Sequence, residues 1–217
     1  MYNIEVKERP RERQNMLKLR GSEFKALWDC CETKDKTQFF ANPIWIDGYL
    51  YFTDTYLLVD IPVDFTPEVE SPVNGIYLDL AANLTAKDIR AADEITIDEK
   101  GFYLNGSFKC GWTWSHKSNL NNLHAIMENC EKNLGDAFFA NSPLRHRTAI
   151  GAANLRKFGN LVNAFKVPAI LGISTGTEEI SERSMPVFFF KFTPKTMQGH
   201  HNLNHIAIRG TIAPVKM

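Results

Sequence analysis

The chain has few cysteines, no long apolar run and no net charge. Its four cysteines, Cys30, Cys31, Cys110 and Cys130, show no Cys-x-x-Cys spacing. Adjacent Cys30 and Cys31 make a poor metal clamp, so all four read as small core residues of a reducing compartment. No segment reaches the length that spans a bilayer, and the N-terminal MYNIEVKERPRERQNM lacks the apolar centre of a signal peptide. A cytoplasmic protein with no membrane contact is therefore expected. The 25 basic residues are balanced by 25 acidic ones, which removes any overall field that would announce nucleic acid as a partner. DNA contact has to come from local asymmetry. No Gly-rich phosphate loop and no close carboxylate pair stands out, and no cofactor is called for.

What the 217 residues do contain is a recurring pattern, at a hydrophobic content of 44% that is enough for a sizeable core. A first strand is expected over Asn3–Lys7, followed by a basic stretch and a helix that starts near Ser22. In that helix Phe24, Leu27, Trp28 and Cys31 recur at the spacing of one buried face. PIWIDGYLYF then breaks at Asp47-Gly48 between alternating Ile44, Ile46 and Leu50, Phe52, a hairpin signal. A third strand over Tyr56–Ile61 completes the unit. The same order returns as GIYLDLA, a short helix LTAKDIRAA with Thr85 and Asp88 at capping-box spacing, and three strands in DEITIDEKGFYLNGSFKCGWTW. There the turns fall near Lys100-Gly101 and Asn105-Gly106, and Phe108, Cys110, Trp112 and Trp114 alternate.

A third copy follows a polar connection. TAIGA reads as a strand, and NLRKFGNLVNAFK as a helix with Leu155, Phe158, Val162 and Phe165 on one face. PAILGIST, PVFFFKF and HIAIRGTIAPV read as strands. The connection, 118–147, holds Leu123, Ile126, Met127 and Cys130 at helical spacing. It also echoes ALWDCCETKDKTQFFAN as AIMENCEKNLGDAFFAN at an offset of 99, so it is either a linker or a degenerate extra half-unit. The fold expected is α+β, repeated βαβββ units with helices on one face of antiparallel sheets. Residues 1–114 form a first domain of two units and 115–217 a second, abbreviated one.

This order of units resembles the DNA polymerase sliding clamps, most closely the bacterial beta type. In KDKTQFFANPIWIDGYLYFTDTYLLVDIP, residues Thr53, Asp54, Tyr56 and Leu58 keep the family's Thr-Asp-Gly-His/Tyr-Arg-Leu pattern, while Thr55 replaces the Gly and Leu57 the Arg. TAIGAANLRKFGNLVNAFKVPAILGIS, 148–174, is similar to the last helix and strand of the final clamp domain. IAPVKM is similar to the family's Met-Pro-Met-Arg-Leu ending. The resemblance covers roughly 18–112 and 148–217. It implies a processivity factor that encircles or tethers to duplex DNA and is a homo-oligomer, three or four units per chain matching a tetramer or trimer. It also implies a pocket for peptides of polymerase or clamp-loader partners, lined by Thr53, Thr55, Tyr56, Leu57, Leu58, Thr211, Ala213, Pro214 and Val215. The plainer alternative for those residues is strand ends in a packed sheet. DNA-facing cations implied are Lys25, Lys87, Arg90, Arg156 and Lys157, each opposite an apolar stripe. From charge alone, Asp29, Glu32 and Asp88 beside them favour an ordinary solvated helix face, and only the resemblance raises the DNA-facing reading. Edge strands such as Phe188–Phe192 are expected to supply contacts between copies.

Two enzyme readings compete. GISTG, 172–176, matches the nucleophile elbow of a serine hydrolase with Ser174 as nucleophile, Glu178 and Glu179 after it, and His200, His201 and His205 further on. An acidic turn follows the Ser where an elbow feeds a helix, which favours a strand-end turn. His201 and His205 have zinc-binding spacing only if helical, and the neighbouring Pro194 and Gly199 favour a loop. The reading is therefore non-enzymatic, with no metal site. A clamp-fold module that binds partners without forming a ring is a third possibility.

Overall fold

The computed structural model describes residues 16–31, 39–69, 75–115, 123–130, 150–166, 170–174, 187–192 and 208–213. The first strand, β1 (Met16–Leu19), falls where the sequence shows a basic stretch, and Asn3–Lys7 lies outside the described residues. Leu17 and Leu19 face the core, and Lys18 points away. Four residues with only two buried side chains give little periodic signal; the strand exists because it pairs with β6.

Helix α1 (Gly21–Trp28) begins one residue ahead of Ser22. Its N-cap is Arg20, whose backbone N–H donates to the Glu23 carboxylate at 2.8 Å. Gly21 is there for space: a Cβ would lie 2.3 Å and 2.4 Å from the carbonyl oxygens of Ile89 and Ala92. A 3-10 turn (Phe39–Ala41) leads to β2 (Ile44–Ile46), β3 (Tyr49–Thr53) and β4 (Leu57–Pro62). Asp47 and Gly48, at φ 47° and 82°, form the left-handed pair that a two-residue hairpin needs.

The second unit runs β5 (Ile76–Leu78), a single-turn helix α2 (Leu80–Asn83), α3 (Ala86–Ala91), β6 (Ile95–Asp98), β7 (Gly101–Leu104) and β8 (Ser107–Trp114). Thr85 caps α3 as expected, exchanging hydrogen bonds with Asp88 in both directions. This bonding holds the Asp88 carboxyl below its usual range. The alternation expected along β8 fails at one place. Phe102 pairs with Cys110 but Tyr103 with Phe108, a bulge that turns Phe108 to the opposite face, where it packs edge-on against Tyr103 and stays 54% exposed.

Residues 123–130 form helix α4. The third unit follows as α5 (Ala152–Phe165), β9 (Ile170–Ser174), β10 (Val187–Phe192) and β11 (Ile208–Ile212). Of the expected TAIGA strand, Ile150 and Gly151 precede α5 without belonging to a strand, and Ala152 is the first residue of the helix. The buried face of α5 is Asn154, Leu161 and Phe165, with Phe158 half-buried between them, whereas Leu155 is 53% exposed. Leu155 and Val162 lie to one side of the true stripe, which runs 154, 158, 161, 165.

The described strands join in one antiparallel sheet of order β1-β6-β7-β8-β5-β2-β3-β4-β11-β10-β9. The β10 strand, Val187–Phe192, is interior, so among the described strands the edges are β1 and β9; the expectation of an edge at Phe188–Phe192 is corrected. Alternation along the strands assigns the two faces. Leu50, Phe52, Leu57, Val59, Ile61, Phe190, Phe192, Ile208 and Ile212 meet α1, α3 and α5 in the main core. Ile44, Ile46, Tyr51, Leu58 and Phe189 face the other way and are covered by Met127 and Cys130 of α4. The sequence echo between the α1 and α4 regions therefore does not mark equivalent positions: Cys31 sits in the inner core and Cys130 in the outer cluster.

Candidate partner-peptide site and helix face

The Thr-Asp-x-Tyr step between β3 and β4 is a turn built by its own side chains. The Thr53 hydroxyl accepts the Thr55 N–H at 3.0 Å, and one Asp54 oxygen accepts the N–H groups of Tyr56 at 3.0 Å and Leu57 at 2.8 Å. The other Asp54 oxygen takes the Lys157 ammonium of α5 at 2.6 Å. Thr55 is held at φ 76°, a left-handed conformation that a β-branched residue enters at a cost. Tyr56 is thereby pushed out to 62% exposure, and its carbonyl accepts the Ala213 N–H at 2.7 Å.

Ladder pairing of β4 with β11 sets Leu58 opposite Thr211 and Leu57 opposite Ile212. The two stretches named from sequence thus meet, but their side chains divide among three environments. Leu57 is fully buried in the inner core, Leu58 and Thr211 are buried on the outer face, and Thr53 is buried in the turn. Thr55 and Tyr56 are exposed and Ala213 is half-buried. Pro214 and Val215 lie outside the described residues.

The five cations on the helices also divide. Lys87 and Arg90 on α3 and Arg156 on α5 are exposed. Lys25 is buried and pairs with Asp29 one turn on, and Lys157 is bound to Asp54. Lys25 is inward because α1 is the central helix of the layer, packed against both α3 and α5 and leaving only Ser22 exposed.

A polar cluster that the sequence did not announce lies on the outer face. Arg209 of β11 makes a two-pronged contact with the fully buried Asp60 of β4, Nε to Oδ1 at 3.0 Å and Nη2 to Oδ2 at 2.6 Å. Its third nitrogen reaches Glu128 of α4 at 2.8 Å, and its guanidinium lies 5.0 Å over the Tyr49 ring. Beside it the Tyr51 hydroxyl meets His124 Nδ1 at 2.7 Å. Burial, reinforced by the Asp60 carboxylate, pushes the Tyr51 hydroxyl well above its usual range. The partners are 149, 81 and 73 residues apart, so no local signal could have found them. The cluster pins α4 to the sheet.

None of the four cysteines is in a disulfide; Cys30, Cys31 and Cys130 are buried and Cys110 is half-buried. Burial raises Cys30 well above its ordinary value and pushes Cys31 and Cys110 up to about 12, which leaves them un-ionised and poor nucleophiles at neutral pH. Ser174 is the last residue of β9, and Glu178, Glu179, His200, His201 and His205 lie outside the described residues. Among the described residues no group of three or more His, Cys, Asp or Glu is placed to hold a metal ion, and no helix is long and apolar enough to cross a membrane.

No protein-family model matches the chain, and no curated protein matches it. Among solved structures, the chain is similar to a DNA polymerase III beta-subunit sliding clamp from Bartonella birtlesii, determined bound to griselimycin. The identity is 11% and the TM-score 0.42, over 97% of this chain and 68% of that one. The repeated units described above rest on this chain's own strand pairing and not on that likeness.

Proposed function

We propose that this protein is a sliding-clamp-like processivity factor that encircles or tethers to duplex DNA and captures a peptide from a polymerase-type or clamp-loader-type partner. The observation that carries the reading is the helix layer. Three helix-plus-three-strand units set α3, α1 and α5 side by side on one face of a continuous antiparallel sheet, with Lys87, Arg90 and Arg156 exposed on it. Cations on a smooth helical surface bind phosphates without reading bases, which is what sliding requires. Tyr56 supplies the other half of the reading: a large exposed aromatic on a turn braced by Asp54, beside the end of β11, has the character of a peptide anchor. The reading places no catalytic residue, metal or cofactor.

The test is retention on a primed circular duplex. Copies held on the circle and lost when it is linearised are the expected result, and the triple variant Lys87→Ser/Arg90→Ser/Arg156→Ser should lower the salt slope by roughly 1 per residue. A protein indifferent to both DNA forms overturns the DNA part. A second reading is favoured by the ion pairs that occupy Lys25 and Lys157: a clamp-fold module that binds partners without forming a ring. Its signature is peptide binding that Tyr56→Ala abolishes in a protein that ignores DNA.

A further inference from the structure

Each unit sets an aromatic residue near the centre of the second strand after its helix, on the outer face of the sheet. Tyr51 in β3, Tyr103 in β7 and Phe189 in β10 hold this position. Tyr51 stands between Leu50 and Phe52 of the main core, and Tyr103 between Phe102 and Leu104 of the same core. Tyr51 and Phe189 are buried in the cluster that Met127 and Cys130 of α4 complete. Tyr103 stays half-buried, and its cross-strand neighbour Phe108 is 54% exposed.

Phe108 reaches this face through the bulge in β8; unbroken alternation with Cys110 and Trp112 would turn it toward the main core. Its ring stands at 71° to that of Tyr103 with centroids 5.4 Å apart, and it lies over Gly111, where a Cβ would sit 3.8 Å from the tip of the ring. Two rings near a right angle form an open corner, and its rim is acidic. The Tyr103 hydroxyl donates to Asp98; burial, then Asp98, then Glu68 and Glu99 hold that hydroxyl above its ordinary value. Lys18 pairs with Glu94 at 3.7 Å and Lys109 lies near Asp88 of α3. That leaves Lys100, exposed at the hairpin tip, against the carboxylates of Asp98, Glu68 and Glu99. The first unit shows what such a face accepts. There Arg209 lies 5.0 Å over the Tyr49 ring and pairs with Asp60, and a two-turn helix, α4, is laid across the apolar residues beside it.

We propose that the Tyr103–Phe108 corner docks a basic amphipathic helix of a partner protein, with an aliphatic side chain on the Phe108 ring and a Lys or Arg one turn away reaching Asp98. A cation set against an aromatic face and a carboxylate gains from both, and the acidic rim rejects acidic helices. The α4 helix of a second copy does not suit the corner, because its exposed Glu128 brings like charge to the rim. In the sheet the corner is separated from the Tyr56 turn by β5 and β2. It therefore stands or falls independently of the peptide site and the DNA face proposed above.

The experiment titrates the full chain with two fluorescein-labelled, Ala-rich helical peptides of about 16 residues. They are identical except that one carries Leu and Arg one turn apart and the other Leu and Glu. Fluorescence anisotropy should show the Arg peptide bound and the Glu peptide at least about tenfold weaker. Phe108→Ser should weaken the Arg peptide about tenfold. Asp98→Asn, which keeps an acceptor for the N–H groups of Lys100 and Gly101, should weaken it about fivefold. Tyr56→Ala should leave it unchanged, and far-ultraviolet circular dichroism checks that each variant is folded. Amide exchange over 101–114 in the unmodified chain needs no variant and should slow when the Arg peptide is saturating. Absence of binding up to about 1 mM peptide, equal affinity for the two peptides, parental affinity in folded Phe108→Ser, loss of binding in Tyr56→Ala, or unchanged exchange over 101–114 overturns the proposal.

Discussion

Replacing Asp54 separates two jobs that one carboxylate performs. One oxygen accepts two backbone N–H groups of the turn, and the other binds Lys157 across a separation of 103 residues. Asp54→Asn keeps a carbonyl for the turn and loses the ion pair, whereas Asp54→Ala loses both. The pair is largely enclosed, with side-chain exposures of 21% for Lys157 and 12% for Asp54. It is worth more than a surface pair and less than a fully buried one, about 2 kcal/mol. Two N–H groups left without an acceptor add about 1 kcal/mol each or more. Asp54→Asn should therefore cost about 2 kcal/mol and Asp54→Ala about 4 kcal/mol. Urea titration followed by far-ultraviolet circular dichroism measures both, and a double-mutant cycle of Asp54→Asn with Lys157→Met isolates the pair, with a coupling of about 2 kcal/mol expected. Equal losses for Asn and Ala would refute the division of labour, and zero coupling would refute the role of Lys157 in tying α5 to the first unit.

Thr55→Gly should stabilise the protein by about 0.5–1 kcal/mol, because relief of the left-handed strain at φ 76° outweighs the added freedom of the unfolded chain; a lower urea midpoint than the parent contradicts this. Arg209→Met should cost about 3–5 kcal/mol by stranding the fully buried Asp60, and adding Asp60→Asn should recover part of that loss in the same titration; no recovery would place the cost in lost packing instead. Burial keeps the Cys31 thiol protonated up to about 12, whereas the unfolded chain releases the proton near the ordinary value of 9.0. Its contribution is thus complete below the ordinary value and lost as pH rises through the window to about 12. Stability measured across that window should fall less steeply in Cys31→Ala than in the parent.

The sequence by itself determined the short-range features. Asp47-Gly48 and Asn105-Gly106 could be read as hairpins because left-handed backbone is a property of the residues at those positions. Thr85 and Asp88 could be read as a cap because both partners lie within one helical turn. The repeated order of helix and three strands followed from such signals, strung along the chain. Only the tertiary structure decided what those elements meet. The strand Met16–Leu19 owes its existence to β6, nearly 80 residues away; Phe108 faces outward because of a bulge in its pairing with β7; and Lys25 is buried because α1 lies between two other helices. The Thr53–Leu58 bend shows the same split. Its polar residues marked a turn, but Leu57 and Leu58 were assigned to opposite faces by strand alternation, and Lys157 became a brace and not a free cation by meeting Asp54. Periodicity fixes which side of an element is apolar; the neighbour that covers it is chosen by register and packing across the whole chain.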